Sequence, residues 1–227
     1  MRKTIGKLFL ILMLLVIYAP ILILAVYSFT DSGNIGSIHG FSMQNYVTLF
    51  TKGELRDMIV GTVLLALVSS LLATIFGTMG AIGAFYSKKL AKNFINTANQ
   101  IPVVNADVVT GFSICVLLIV AFGMNKESYV PLLIGHVVLS APFVYLSVVP
   151  KLKQMDASLY EAAMDLGASP SMALRKVVIP QIMPGIVSGF ALAITLSLDD
   201  YFIASYTKPA TFNTISTYAV SYTHLTL

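Results

Sequence analysis

Three aspartates, Asp107, Asp199 and Asp200, sit inside long apolar stretches of the chain. A charged Asp at the centre of a membrane helix costs about 2.5–3.5 kcal/mol even on the lenient insertion scale, so each needs a compensating interaction. The natural counterpart is a cation, because carboxylates along a wet path replace its lost hydration with charge-assisted hydrogen bonds. The alternative is pairing with Lys or Arg of another subunit, or a place at a watered interface. Asp199 and Asp200 are about 100° apart on a helix, so they cannot face one ligand equally. Ser197 can exchange hydrogen bonds with a ligand or, more commonly, with its own helix carbonyls. Tyr201, Phe202 and Tyr206 offer aromatic faces to a cation, although aromatics also gather at bilayer interfaces. His136 reads as a packed, hydrogen-bonded histidine in preference to a proton relay. Cys115 is the only cysteine, without metal-ligand companions, and reads as a packing residue. The sequence contains no metal cluster, nucleophile–base set or phosphate loop.

The elements that carry these residues are membrane helices. Of the 227 residues, 57% are hydrophobic and 11% charged, against roughly a quarter charged in a soluble domain. Stretches near Leu8–Phe29, Met58–Tyr86, Gln100–Gly123, Tyr129–Pro150 and Met183–Tyr206 each approach the about 20 residues that a bilayer core requires. The first is longer than the about 7–15 apolar residues of a cleavable signal, and is expected to be retained. With the N-terminus inside, Arg2, Lys3, Lys7, Lys88, Lys89, Lys92, Lys151, Lys153, Arg175 and Lys176 fall on the inner side. Only Lys52, Arg56, Lys126 and Lys208 fall outside, which completes the 14 basic residues. That bias orients a multi-spanning protein with basic loops in the cytoplasm, so the net charge of +4 reads as topology and not as nucleic-acid binding.

Between the first two spans, Asp31-Ser32-Gly33-Asn34 and Gly36 predict a turn, followed by a short surface helix containing Tyr46, Leu49 and Phe50. Gly77, Gly80 and Gly83 lie near one face of span two, and no GK[ST] follows, so they predict close helix packing and not a nucleotide loop. The inner loop at about 151–181 is more specific. Leu159, Ala162, Ala163 and Leu166 form one apolar helical face, with Ser158, Glu161 and Asp165 on another. Gly167 is a helix stop. Ser169 and Pro170 are an N-cap and first-turn proline for a second short helix, expected to end before Pro180. Small alanines on such a face let a helix sit deep in a partner's groove, while Glu161 and Asp165 meet basic groups at the rim. The plainer alternative is a helix hairpin on the membrane surface without a partner.

The run Glu161-Ala162-Ala163-Met164-Asp165-Leu166-Gly167, followed by Val177-Val178-Ile179-Pro180, resembles the EAA loop of binding-protein-dependent ABC importer permeases, the MetI-like family. The Glu161, Ala162, Ala163, Gly167 and Pro180 positions match, whereas Val177 and Ile179 stand where the family usually has Ile and Leu. Within that family the chain resembles spermidine/putrescine permeases. Asn105-Ala106-Asp107-Val108-Val109 is similar to their S-P-D-I-V, with Asn105 and Ala106 in place of Ser and Pro. Thr195-Leu196-Ser197-Leu198-Asp199-Asp200 is similar to their T-L-S-M-D-D.

The resemblance implies an all-α, polytopic transmembrane helical bundle of the type 1 importer class, with five spans present and a sixth apparently truncated. It implies a permease domain over 1–220, with a tail at 221–227 that matches nothing in the pattern and is foreign to it. The chain would be a transporter subunit and not an enzyme, in a bacterial cytoplasmic (inner) membrane with its N-terminus cytoplasmic. Its implied partners are ABC ATPase subunits, a second related permease subunit, an extracytoplasmic polyamine-binding protein, the polyamine substrate and the lipid bilayer, with no nucleic acid. The chain itself would bind no cofactor, since ATP and Mg belong to the ATPase. Glu161, Ala162, Ala163, Asp165, Gly167 and Pro180 would couple to that ATPase, and Asp107, Ser197, Asp199, Asp200 and Tyr201 would line the substrate path. Rival readings are a permease for another solute such as an anion, which the aspartates oppose, and an intramembrane aspartyl protease, whose G-x-G-D motif is missing. A proton-coupled secondary transporter is a third, and would leave the coupling loop without a use.

Overall fold

The computed structural model describes residues 2–30, 40–156 and 158–225, and the regular elements among them are helices. They divide into two units, Met1–Asp57 and Met58–Leu227.

In the first unit, α1 (Arg2–Ser28) carries an apolar run from Leu8 onward that is uncovered on every side. A helix apolar all round needs lipid or another chain about it. After α1, Thr30 bridges to Phe41, Phe29 stacks on Phe41 with centroids 5.8 Å apart, and Tyr46 tilts against Phe29 at 5.1 Å. Tyr46 belongs to the expected short helix, α2 (Gln44–Thr51). Asn45 Nδ2 ties that helix back by donating to the carbonyls of Ser28 and Thr30 at 3.2 and 3.0 Å. The turn formers from Asp31 to Gly36 lie outside the described residues.

Helix α3 (Gly53–Tyr86) starts in the first unit and continues into the second. Its buried side is a seam of small residues, including Ala66, Ser69, Ala73, Gly77, Ala81 and Ala84, recurring every three or four positions. A Cβ on Gly77 would stand 2.7 Å from the Ala141 carbonyl and 2.8 Å from Val144 Cβ. Close approach therefore rests on Gly77 alone of the three glycines. Gly80 has only an ordinary contact with Tyr145, and nothing stands near Gly83.

The residues contacted by Gly77 belong to α6 (Tyr129–Gln154), the innermost helix, half of whose apolar window is buried. Val144, Val148 and Leu152 of α6 meet Ala81 and Ala84 of α3, together with Val178 and Ile182. Without a water-driven hydrophobic gain between helices in lipid, this fit of small residues against branched ones is what holds such a bundle.

Two expected spans are broken. The run Gln100–Gly123 is not one helix but α4 (Lys89–Val104) and α5 (Asp107–Cys115), the latter extended by a π-helical turn over Val116–Ala121, with a 108° bend between the pair. Pro102 removes a backbone donor from the last turn of α4, Asn105 and Ala106 are extended, and the acidic Asp107 restarts the helix where the dipole favours a negative charge. Met183–Tyr206 is likewise interrupted, because Asp200 is extended between α9 (Ile179–Asp199) and α10 (Phe202–Thr207). Among the described residues, four helices are long and apolar enough to cross a membrane, and five if the bent pair is one span.

Before α9 come α7 (Ser158–Asp165) and α8 (Pro170–Ala173). The second loop helix does not stop before Pro180 as expected. A π-helical turn over Leu174–Val178 joins α8 to α9, and Pro180 sits in the first turn of α9. The wider turn leaves room for the proline ring, and its missing N–H falls at a helix start. The last helix, α11, covers Ile215–Leu225 and so includes the beginning of the tail set apart above.

Candidate functional site

The break after α9 separates the paired aspartates. Asp199 is exposed, whereas Asp200 is buried and turned inward. Asp200 Oδ1 accepts from the Ile203 amide at 3.3 Å and Oδ2 from the Ala204 amide at 2.8 Å, which caps α10. Its backbone carbonyl accepts from Ser216 Oγ. His136 of α6, fully buried, donates from Nδ1 to the Leu132 carbonyl at 2.9 Å and places Nε2 3.7 Å from Asp200 Oδ2. His136 is thus the packed histidine that the sequence suggests.

Ser197 points into the bundle, its Oγ 3.0 Å from that of Ser69 on α3 and closed off from solvent. Tyr201 is half-buried with its ring edge-on to Phe202 at 5.3 Å. Asp107 is exposed at the start of α5. The two breaks are neighbours. Ile203 of α10 wedges between α5 and α6, so that a Cβ on Gly111 would be 3.2 Å from Ile203 Cα and one on Gly135 only 2.5 Å from its Cγ2. Of the five residues expected on a path, the structure therefore leaves two carboxylates, Asp107 and Asp199, on the surface beside adjoining helix breaks. Ser197 is occupied in pairing with Ser69, and Asp200 in capping α10. Cys115 Sγ donates to the Tyr206 carbonyl at 3.3 Å, a packing contact between the same two segments.

The Glu161–Pro180 segment folds largely as its residues suggest. Gly167 takes φ +87°, the Gly167 amide donates to the Met164 carbonyl at 2.9 Å, and the Ala168 amide donates to that of Ala163 at 3.0 Å. These two bonds form a Schellman cap, which satisfies the last carbonyls of α7. Ser169 Oγ then accepts from the Met172 amide and Pro170 opens α8. At the entry to α7, hydrogen bonds from the Ser158 backbone and side chain hold the Asp156 carboxyl below its ordinary value. Glu161, Ala162, Asp165 and Pro180 are exposed. Ala163 is part-buried on the side of Tyr160, whose ring meets Tyr86 at 5.0 Å. The apolar face is thereby split: Ala163 turns toward the body of the protein, while Ala162, Leu159 and Leu166 face out.

Neither the Ser69 partner of Ser197 nor the His136–Asp200 pair followed from the sequence. The polar positions of the α3 seam were the available signal for the first. For the second only an apolar helix with one histidine was visible.

The chain shares this arrangement of helices with known transporters. The family model described as "Binding-protein-dependent transport system inner membrane component" matches residues 73–222, which hold both helix breaks and the Glu161–Pro180 segment. The spermidine/putrescine transport system permease protein PotC of Escherichia coli (strain K12) is 32% identical over 190 residues, covering 84% of this chain and 71% of that protein. The putrescine transport system permease protein PotI of the same strain is 32% identical over 195 residues, covering 84% and 69%. A crystal structure of an amino acid ABC transporter with histidines superposes with a TM-score of 0.55 over 81% of this chain and 82% of its own, at 20% identity, and shares the fold. With two thirds of its length inside the family model and these relatives beyond it, the chain belongs to the binding-protein-dependent transport system inner membrane components, the permease subunits of ABC importers.

Proposed function

We propose that this permease carries polyamines, spermidine or putrescine, into the cytoplasm. The observation that carries the reading is the pair of exposed carboxylates, Asp107 and Asp199, at two adjoining interruptions of membrane helices. Interrupted helices at membrane depth are tolerated where they line a cavity, and free carbonyls at a helix C-terminus, such as that of α9, suit a cation. A polyamine brings spaced ammonium groups to such acceptors, and both curated relatives described above are named for polyamine transport. Tyr201 and Phe202 beside the break add aromatic faces for the same groups.

A second permease subunit completes the path by covering the exposed faces of Asp107 and Asp199. An extracytoplasmic binding protein delivers the substrate. The outward face of Ala162, rimmed by Glu161 and Asp165, docks into the ATPase subunits, which hold ATP and Mg, and Gly167 and Pro180 shape the segment that passes their motion to α9. The excess of Lys and Arg in the inner loops supports a cytoplasmic N-terminus.

The test is uptake of labelled spermidine and putrescine by the reassembled transporter, with and without ATP. ATP-dependent uptake that unlabelled polyamine competes away is the expected result. Uptake of another solute class with no competition by polyamines overturns the substrate, and uptake driven by a proton gradient without ATP overturns the coupling.

A further inference from the structure

We propose that the cleft between α3, α4 and α6 binds the headgroup of an anionic phospholipid. The cleft has an apolar floor that includes Ala84 and Phe85, a polar wall where Tyr145 Oη donates to Asn96 Oδ1, and two lysines, Lys92 and Lys153, on its lining. No acidic residue lines it, and neither lysine enters an ion pair among the described residues. Lys88 and Lys89, one turn before Lys92 in the chain, add to the positive charge of this end of α4.

A phosphate would meet that charge, and basic pockets between membrane helices hold anionic lipid headgroups in this manner. The walls favour a lipid over a soluble anion, because α3 and α6, which bound the cleft with α4, are long and apolar enough to cross a membrane. Leu90 and Phe94, on the face of α4 turned away from Lys92 and Asn96, are 87% and 76% exposed, which suits lipid and not water about the outside of that helix. With its Oδ1 taking the Tyr145 proton, Asn96 presents its Nδ2 as the donor for a phosphate oxygen. The site is separate from Asp107 and Asp199 and does not depend on the identity of the transported solute.

The chain contains no tryptophan, so a Phe85→Trp variant places one fluorescent reporter on the cleft floor. The full chain carrying F85W is put into bilayers of brominated phosphatidylglycerol mixed with phosphatidylcholine, and into the converse mixture. Quenching should show a preference of about thirtyfold for phosphatidylglycerol at this position, from about fivefold for each of the two lysines. The preference should vanish in F85W/K92Q/K153Q and should survive an excess of inorganic phosphate. Equal quenching by the two lipids, or a preference that persists without the lysines, overturns the proposal. Abolition by inorganic phosphate assigns the cleft to a soluble phosphate and overturns the lipid. Native mass spectrometry of the unsubstituted chain tests the same site without the reporter: phosphatidylglycerol should remain bound through detergent exchange where phosphatidylcholine is lost, and equal loss of both counts against the site.

Discussion

The Ala204 amide donates to Asp200 Oδ2 at 2.8 Å, so a carboxylate one residue from the exposed Asp199 is committed to starting a helix. Adjacent and chemically identical, the two aspartates therefore have different work. Asp200 and His136 hold the break between α9 and α10 from inside, and Asp199 is left at its surface.

Replacing each by Asn should separate the two roles. Asp200→Asn keeps an acceptor for one of the Ile203 and Ala204 amides but turns an NH2 group toward the other, and should lower stability by about 1–3 kcal/mol, read as a lower melting temperature and reduced membrane abundance. Asp199→Asn should leave both unchanged and weaken polyamine uptake by about 1–3 kcal/mol, the range for losing a charged hydrogen bond. Equal melting temperatures for the two variants would show that Asp200 is not a structural cap. Unaltered uptake by Asp199→Asn would remove that residue from the path.

The α3–α6 contact gives a second internal comparison. Gly77→Ala puts a methyl group against the Ala141 carbonyl and Val144, both on a packed helix, whereas Gly83→Ala adds one where nothing stands within 4 Å. The first should cost about 1–3 kcal/mol through overpacking. The second should be neutral or slightly stabilising, since Ala is the better helix former. Thermal melts of the two variants in detergent decide it, and a Gly77→Ala protein as stable as Gly83→Ala would mean that α3 and α6 are not in contact there.

What could be read in advance followed from local chemistry. Gly167, Ser169 and Pro170 act within one turn of their own position, so the end of α7 and the start of α8 were legible. The breaks at Asn105–Ala106 and at Asp200 were not, because hydropathy averages across them and both flanks are apolar. Pro102 and the aspartates were the only marks, and a proline inside a membrane helix is compatible with either outcome. The passage of the helix through Pro180 escaped prediction for the converse reason: the proline rule is local, and the π-helical turn before it relieves the clash. The division of Asp107 and Asp199 from Ser197 and Asp200 depends on which way each side chain faces in the bundle, a long-range property.

The split face of α7 predicts that two adjacent alanines respond differently. Ala162→Arg introduces a charged side chain on the outward surface, and should abolish ATPase recruitment and transport while leaving insertion and melting temperature intact. Ala163→Arg should do the same and also lower stability, because Ala163 is part-buried on the Tyr160 side. Pull-down of the ATPase and a melt on the same preparations read both effects. Normal recruitment by Ala162→Arg would place the docking surface elsewhere.

Gly167 tests whether the turn after α7 transmits force through its backbone alone. Its φ of +87° belongs to the left-handed region, and nothing lies within 4 Å of a Cβ placed there, so a substitution meets no steric obstacle beyond its own backbone. Gly167→Ala should therefore cost about 1–2 kcal/mol, the penalty of that region for an L-residue. Gly167→Asn should cost less, because Asn tolerates the left-handed conformation. The loss should appear as faster hydrogen exchange at the Gly167 and Ala168 amides, which close the Schellman cap, and as uptake reduced in the order Gly, Asn, Ala. An Ala variant with parental exchange and uptake would show that the left-handed turn is dispensable. An Asn variant as impaired as Ala would point to the absence of a side chain, and not the backbone angle, as what the position requires.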